Sequence, residues 1–292
     1  MKKLYSNKGH ILLFLIPAII LFCGILIAPI VMSGYYSFFD WDGLGEKTFI
    51  GFSNYIDLFT SNRIGFMKAL GNSLVLALLS VGLQLPLALG LALVLGKGIK
   101  GERIFLSIFF MPVLISTVVI GQLWLKIYNP DYGILNVLLR SLGLESWTRM
   151  WLGLRETALG AVFIPTLWQY VGYHMLLLYA GVKSVPKELR EAAMLDGAKD
   201  SQINRYIVLP YIKPIIRISV IFAVTGSLKS FDLIYVLTNG GPFHSTEVPS
   251  TLMIDMLFLR NRYGMGSAIA VLLIILCFAF ALIINRVFKE EE

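Results

Sequence analysis

Residues 184–214 read SVPKELREAAMLDGAKDSQINRYIVLPYIKP, the one long charged segment in a chain that is otherwise largely apolar. The pattern predicts two short helices separated by a turn. Pro186 suits the first turn of a helix, where its missing N–H would have no intrahelical partner in any case. Glu188, Leu189, Glu191, Ala192, Ala193, Met194 and Leu195 follow, most of them good helix formers. Gly197 stands where a left-handed C-terminal cap is expected. Asp200 is placed to cap a second helix, whose apolar residues Ile203, Tyr206 and Ile207 recur at helical spacing. Pro210 and Pro214 then break the chain before the next apolar run.

On either side of this segment the chain is suited to lipid. Hydrophobic residues make up 57% of the 292 positions and charged residues 15%, against about 25% charged in ordinary soluble domains. The mean hydropathy is +0.76. Crossing a bilayer takes roughly 20 consecutive apolar residues. Six such runs are read, at about residues 11–32, 69–95, 104–128, 158–183, 215–237 and 265–288. The expected fold class is therefore an all-α polytopic membrane protein of six transmembrane helices. Pro17 and Pro29 interrupt the first run, and Met111-Pro112 is expected to kink the third. Residues 33–68, with Tyr35, Tyr36, Phe38, Phe39 and Trp41, read as an outward loop carrying an aromatic belt. Residues 129–157 read as outward and partly interfacial, and residues 238–264 as outward.

The net charge of +7 is not a nucleic-acid footprint, because the basic residues are spread over several loops. They follow membrane topology instead. Lys2, Lys3 and Lys8, then Lys97, Lys100 and Arg103, then Lys183, Lys187, Arg190, Lys199, Arg205, Lys213 and Arg217, then Arg286 and Lys289 would all lie on one side. These are fifteen of the 25 Lys and Arg. The positive-inside rule makes that side cytoplasmic, with both termini and the 184–214 loop on it. The basic N-terminus and first apolar run imitate a signal peptide, but the run is too long and no small-residue cleavage site follows closely. Cys23 and Cys277 each lie within an apolar run and read as small buried hydrophobes rather than a disulfide or metal site. Lys289-Glu290-Glu291-Glu292 is a solvated end.

A solute pathway needs polar and aromatic groups in an oily setting. The candidates are Trp168, Gln169, Tyr170 and Tyr173 in the fourth span, Lys229, Ser230, Phe231 and Asp232 in the fifth, and Gln122 and Trp124 in the third. Lys229 and Asp232 are three residues apart, so on one helix they can pair. Intramembrane charges are costly, which favours a functional role; near the outer interface they can equally be a structural pair. His174 reads as a helix-packing residue, and Gln84 as an interhelical hydrogen-bond partner. Gly90 to Gly96-Lys97-Gly98 does not make a phosphate-binding loop: the spacing is one residue too long, Gly98 stands where Ser or Thr is needed, and no strand precedes it. No paired carboxylates, metal-ligand cluster or activated nucleophile is found, which argues against an enzyme.

Glu191-Ala192-Ala193, then Gly197, then Ile207, then Leu209-Pro210 form a spaced pattern that resembles the EAA loop of binding-protein-dependent ABC importer permeases. Phe231–Pro242, Ser245-Thr246-Glu247 and Tyr263–Ala268 are similar to sugar permeases of the maltose and multiple-sugar type. The resemblance spans nearly the whole chain and implies a type I ABC importer permease fold, a single transmembrane permease domain over residues 1–292, in a bacterial cytoplasmic membrane. It implies that residues 184–214 form a cytoplasmic coupling helix docking on an ATPase, with Glu191, Ala192, Ala193, Asp196, Gly197, Leu209 and Pro210 as the docking set. It also implies partners: a second permease, similar but different, two ABC ATPase subunits that hold ATP and Mg2+, and an extracellular solute-binding protein. The chain itself would bind no cofactor. The alternative from another class is an ion-coupled secondary transporter of a polar solute, which would require intramembrane carboxylates that spans 1–4 and 6 almost entirely lack.

Overall fold

A computed structural model describes residues 8–288, with side chains from residue 15 onward. The basic residues Lys2 and Lys3, and the tail from Lys289, lie outside the described residues, as does the side chain of Lys8. Among the described residues, five helices are long and apolar enough to cross a membrane: Leu15–Tyr36, Phe66–Leu95, Arg155–Ser184, Lys213–Thr238 and Tyr263–Val287. The pair Glu102–Leu114 and Thr117–Ile127 makes a sixth if counted as one broken span. They correspond in order to the six apolar runs of the sequence.

The helices are not uniform. Three of the four five-residue π turns among the described residues lie at Cys23–Ile27, Ser80–Gln84 and Asn204–Val208. Each is followed two residues later by a proline: Pro29, Pro86 and Pro210. A proline ring clashes with the carbonyl four residues before it and offers that carbonyl no N–H. Those carbonyls belong to Ile25, Gly82 and Tyr206, at the centre of each π turn. Widening the turn by one residue moves the carbonyl aside, so the helix continues through the proline. Pro17 is simply carried inside Lys8–Phe22.

Two spans break where continuous helix was expected. The third is bent by 94°, at Ile115 and Ser116, which are extended, rather than at Met111-Pro112. The fifth stops at Leu228 and resumes at Asp232, with Lys229, Ser230 and Phe231 between. Lys229 and Asp232 therefore flank a break and do not share a continuous helix turn, and among the described residues they form no ion pair. Residues 238–264 also hold more helix than expected, Pro249–Ile254 running on into a π turn at Asp255–Leu259.

By packing, the chain divides into two units. The first holds Met1–Ile64 and Met253–Ile274. In it Phe39–Asp40 pairs antiparallel with Thr48–Phe49. The buried Asn54 side chain donates to the carbonyls of Ser37 at 2.9 Å and Phe39 at 3.0 Å. The expected aromatic belt is a contact cluster, with Tyr36 stacked on Trp41 at 4.6 Å. The second unit holds Gly65–Leu252 and Ile275–Glu292. Its centre is Arg155–Ser184, packed on Phe66–Leu95 and Glu102–Leu114. Gly172 permits the closest of these approaches, since a Cβ there would overlap the Phe109 carbonyl.

Candidate functional site

A cavity of about 360 Å3 opens among the helices of the second unit, at the small end of the usual range for ligand sites, about 300–1,000 Å3. Four elements and one break build it. The Ser80–Gln84 π turn turns Ser80 and Gln84 toward it, and Thr117 reaches it from the first turn after the bend in span 3. Thr166, Tyr170, Tyr173 and His174 come from Arg155–Ser184, where positions i, i+4, i+7 and i+8 share one helix face. Ser227, Lys229, Ser230, Phe231 and Asp232 come from the end of Lys213–Leu228 and the break that follows. Irregular backbone at membrane depth is tolerated where it lines a cavity, and this break does.

The lining is polar and only partly self-satisfied. Ser80 Oγ and Ser227 Oγ lie 3.3 Å apart. Gln84 is 2% exposed, and among the described residues its Nε2 has no hydrogen-bond partner; nor has His174 Nδ1. Phe231 stacks on Tyr235 at 5.1 Å, and Tyr173 packs beside Phe222 at 6.2 Å. Hydroxyls, one amide, one ammonium, one carboxylate and aromatic faces around a small volume suit a neutral polyhydroxylated solute, which needs many hydrogen-bonding groups and flat apolar faces.

Of the pathway candidates, Tyr170, Tyr173, Lys229, Ser230, Phe231 and Asp232 line this cavity. Gln122, Trp124, Trp168 and Gln169 do not. Gln122 is exposed on its own helix. Trp168 packs edge-on to Trp124 at 6.2 Å. Gln169 is 1% exposed and donates from Nε2 to Thr117 Oγ1 at 3.1 Å, so it holds a wall residue in place. Ser80, Gln84, Thr117, Thr166 and His174 were not expected there. The helix-face spacing of 166, 170, 173 and 174 is the signal that would have chosen His174 and Thr166 over Trp168.

The second site is the loop of residues 184–214. Its first helix runs Lys187–Leu195 and buries none of its residues. Glu188, Glu191, Ala192 and Leu195 form one outward face at helical spacing, all exposed, Leu195 to 90%. The inward face is tethered. Arg190 Nη2 donates to the Val182 carbonyl at 2.5 Å. Ala193, Ala198 and Leu209 pack on a cluster of Val182, Val185, Ile203, Val208 and Ile212. The EAA triplet is thus divided, Glu191 and Ala192 facing out and Ala193 facing the chain's own core.

The helix end is closed by Asp196 and Gly197. Gly197 has φ +82°, its N–H bonds to the Met194 carbonyl at 3.0 Å, and Ala198 N–H bonds to the Ala193 carbonyl at 2.9 Å. This is the Schellman arrangement, in which glycine takes the left-handed position at no steric cost. The second helix is capped differently from expectation. Lys199 precedes it, and Lys199 N–H donates to Gln202 Oε1 at 2.8 Å. Asp200 instead pairs with Lys97 at 2.6 Å. Tyr206 is exposed rather than packed with Ile203. Pro210 is exposed and sits in the first turn of Leu209–Tyr211.

Residues 84–290 match the family of binding-protein-dependent transport system inner membrane components. The chain is 39% identical to the probable ABC transporter permease protein YurN of Bacillus subtilis, covering 98% of both chains. It is 34% identical to the multiple sugar-binding transport system permease protein MsmF of Streptococcus mutans, covering 96% of this chain and 95% of that one. It is 31% identical to the trehalose/maltose transport system permease protein MalF of Thermococcus litoralis, covering 94% and 92%. Among solved structures, a chain of a bacterial ABC transporter involved in import of the acidic polysaccharide alginate superposes with a TM-score of 0.85 at 25% identity, covering 98% of this chain and 97% of that one.

Proposed function

The chain belongs to the family of binding-protein-dependent transport system inner membrane components, a multi-pass membrane protein, and from that premise we propose that it is the permease subunit of an ATP-binding-cassette importer for a sugar or oligosaccharide. The observation that carries the reading is the form of the 184–214 loop, a short helix with one face fixed to its own chain and the other wholly exposed. That is the form of a helix made to lie in a partner's groove. The partner is an ATPase subunit, one of two, and ATP and Mg2+ belong to that pair rather than to this chain. Glu191 and Ala192 meet it directly, with Asp196 beside them. Gly197, Ala193, Leu209 and Pro210 hold the helix in the presenting geometry. The loop and both termini are cytoplasmic, in the cytoplasmic membrane of a bacterium.

The sugar assignment is supported by the names of the relatives and by the cavity. Its tyrosines and Phe231 offer ring faces, and its hydroxyls, Gln84, Lys229 and Asp232 offer hydrogen bonds. A second, similar but different permease completes the pathway, and an extracellular solute-binding protein delivers the solute. Closure of the ATPase pair draws on the 184–214 helix, and the Val182–Ile212 cluster passes that displacement to the spans. Alternating access then follows by rocking of the two permeases.

Purification of the tagged full chain in mild detergent, with mass spectrometry of what accompanies it, tests this. An ATPase and a second six-span permease are expected. Recovery of the chain alone under several detergents would overturn the reading.

A further inference from the structure

A second cavity, about 510 Å3, lies between the inner face of the Lys187–Leu195 helix and the Gly96-Lys97-Gly98 turn. Four cations line it, Lys97, Lys183, Lys187 and Arg190, against one carboxylate, Asp200. Two of them are partly neutralised, Lys97 by Asp200 at 2.6 Å and Lys183 by Glu102 at 3.2 Å. Lys187 has no such partner among the described residues. Arg190 spends one nitrogen on the Val182 carbonyl, while its Nε is buried with no hydrogen-bond partner among the described residues. A buried guanidinium N–H left unpaired is costly, and an anionic oxygen is its best acceptor.

We infer that this cavity binds the phosphate of an anionic phospholipid headgroup. Three observations favour lipid over a soluble anion. The cavity lies where two apolar spans end, Phe66–Leu95 and Arg155–Ser184, and with those helices crossing the bilayer their ends meet the headgroups. Its other wall is apolar, with Val185 and Ile203 buried and Met194 alongside. Its charge excess faces the leaflet where anionic lipids gather, and basic pockets between membrane helices on that side are suited to such headgroups. The inference rests on the proposed cytoplasmic position of the 184–214 loop. The site does not compete with ATPase docking, because it uses the inner face of the helix and docking uses the outer.

Native mass spectrometry of the full chain, released from nanodiscs of phosphatidylcholine with a minority of phosphatidylglycerol, tests it directly. Wild type is expected to retain phosphatidylglycerol selectively. Lys187→Gln should lower that occupancy about fivefold, as removal of one lysine near an anionic headgroup does. Lys100→Gln, in the same turn but outside the cavity, should not change it. Arg190→Lys keeps the charge but loses the guanidinium fork, and should lower occupancy with the fold intact by thermal melting. Equal retention by wild type and Lys187→Gln would overturn the proposal. So would displacement of the lipid by millimolar inorganic phosphate, which would make this a soluble-anion site. Loss of ATPase co-purification in Lys187→Gln with lipid retention unchanged would also overturn it, in favour of a protein contact. Lipid retention by a chain that recruits no ATPase would sink the importer reading and leave the lipid site standing.

Discussion

Two adjoining helices of this chain carry opposite burdens. Arg155–Ser184 buries thirteen of its 30 residues and is the post around which the second unit packs; Lys187–Leu195, only three residues further on, buries none. The first is held by its contacts, so a change there is felt by the fold. The second is held along its inner face by Arg190 and Ala193 and at its end by the Gly197 cap, and its outer face is left exposed. On the proposed reading, the contrast separates residues that make the fold from residues that meet a partner.

Gly172→Val gives the largest expected effect. Its side chain would overlap the Phe109 carbonyl, and backbone cannot yield as a flexible side chain can. Overpacking typically costs about 1–3 kcal/mol and more where backbone must move, so a loss above about 4 kcal/mol is expected here. The variant should show a sharply lowered melting temperature in detergent and low yield. A wild-type melting curve would break the contrast, because it would mean the central helix is not packed as described.

Gly197→Asp is the counterpart in the loop. A Cβ there meets open space, and the strain is conformational only, about 1 kcal/mol for a left-handed residue. The chain should fold and insert at near-normal yield. Substrate-stimulated ATP turnover in the assembled complex should fall roughly tenfold or more, as for a change at a central interface position. Normal turnover with the complex assembled would remove the coupling role from this helix.

Why the loop was legible and the cavity only partly so follows from how each is encoded. The loop's determinants are local: helix formers, a glycine at the cap and prolines beyond, all within 31 residues. Spans were legible for the same reason, each being one apolar run. The break at Lys229–Phe231 was not, because Lys229 and Asp232 also satisfy an i, i+3 helical pairing, and only packing decides between the two. The bend at Ser116 was assigned to Pro112, yet proline can be carried inside a membrane helix, as it is here. The Pro249–Leu259 segment is too short to register as a span. In the cavity, Tyr170, Tyr173, Lys229, Phe231 and Asp232 stood out as polar or aromatic groups in oil, and Ser230 with them. Ser80, Thr117 and Thr166 did not, since single hydroxyls are common in membrane helices. Trp168, two residues from Tyr170, lies on the opposite helix face, whereas Gln169 shares the cavity-side face with Thr166 and Tyr173 and is taken up by Thr117.

Lys229→Gln sharpens the comparison from the cavity side. Lys229 is at the break, outside regular helix, and has no ion-pair partner among the described residues. Its replacement should leave the melting temperature nearly unchanged while weakening solute uptake about tenfold, as expected for loss of a hydrogen bond from a charged group. A large stability loss with unchanged uptake would assign Lys229 to the fold instead.

The smallest effect concerns the attachment of the loop to the rest of its chain. Lys97 and Asp200 pair at 2.6 Å across 103 positions of sequence, but their side chains are 48% and 61% exposed. Exposed pairs contribute about 0–1 kcal/mol and weaken with salt. A double-mutant cycle with Lys97→Gln and Asp200→Asn, read by thermal melting, should therefore give a coupling below about 1 kcal/mol that shrinks further at high salt. Ile203→Ala, by contrast, opens the buried cluster beneath the loop and should cost about 2–4 kcal/mol. If the charge pair proved the stronger, the loop would be a part latched electrostatically and able to swing. If Ile203 does, as the burial argues, the loop moves as one body with the ends of the spans, which is what transmission of a distant closure requires.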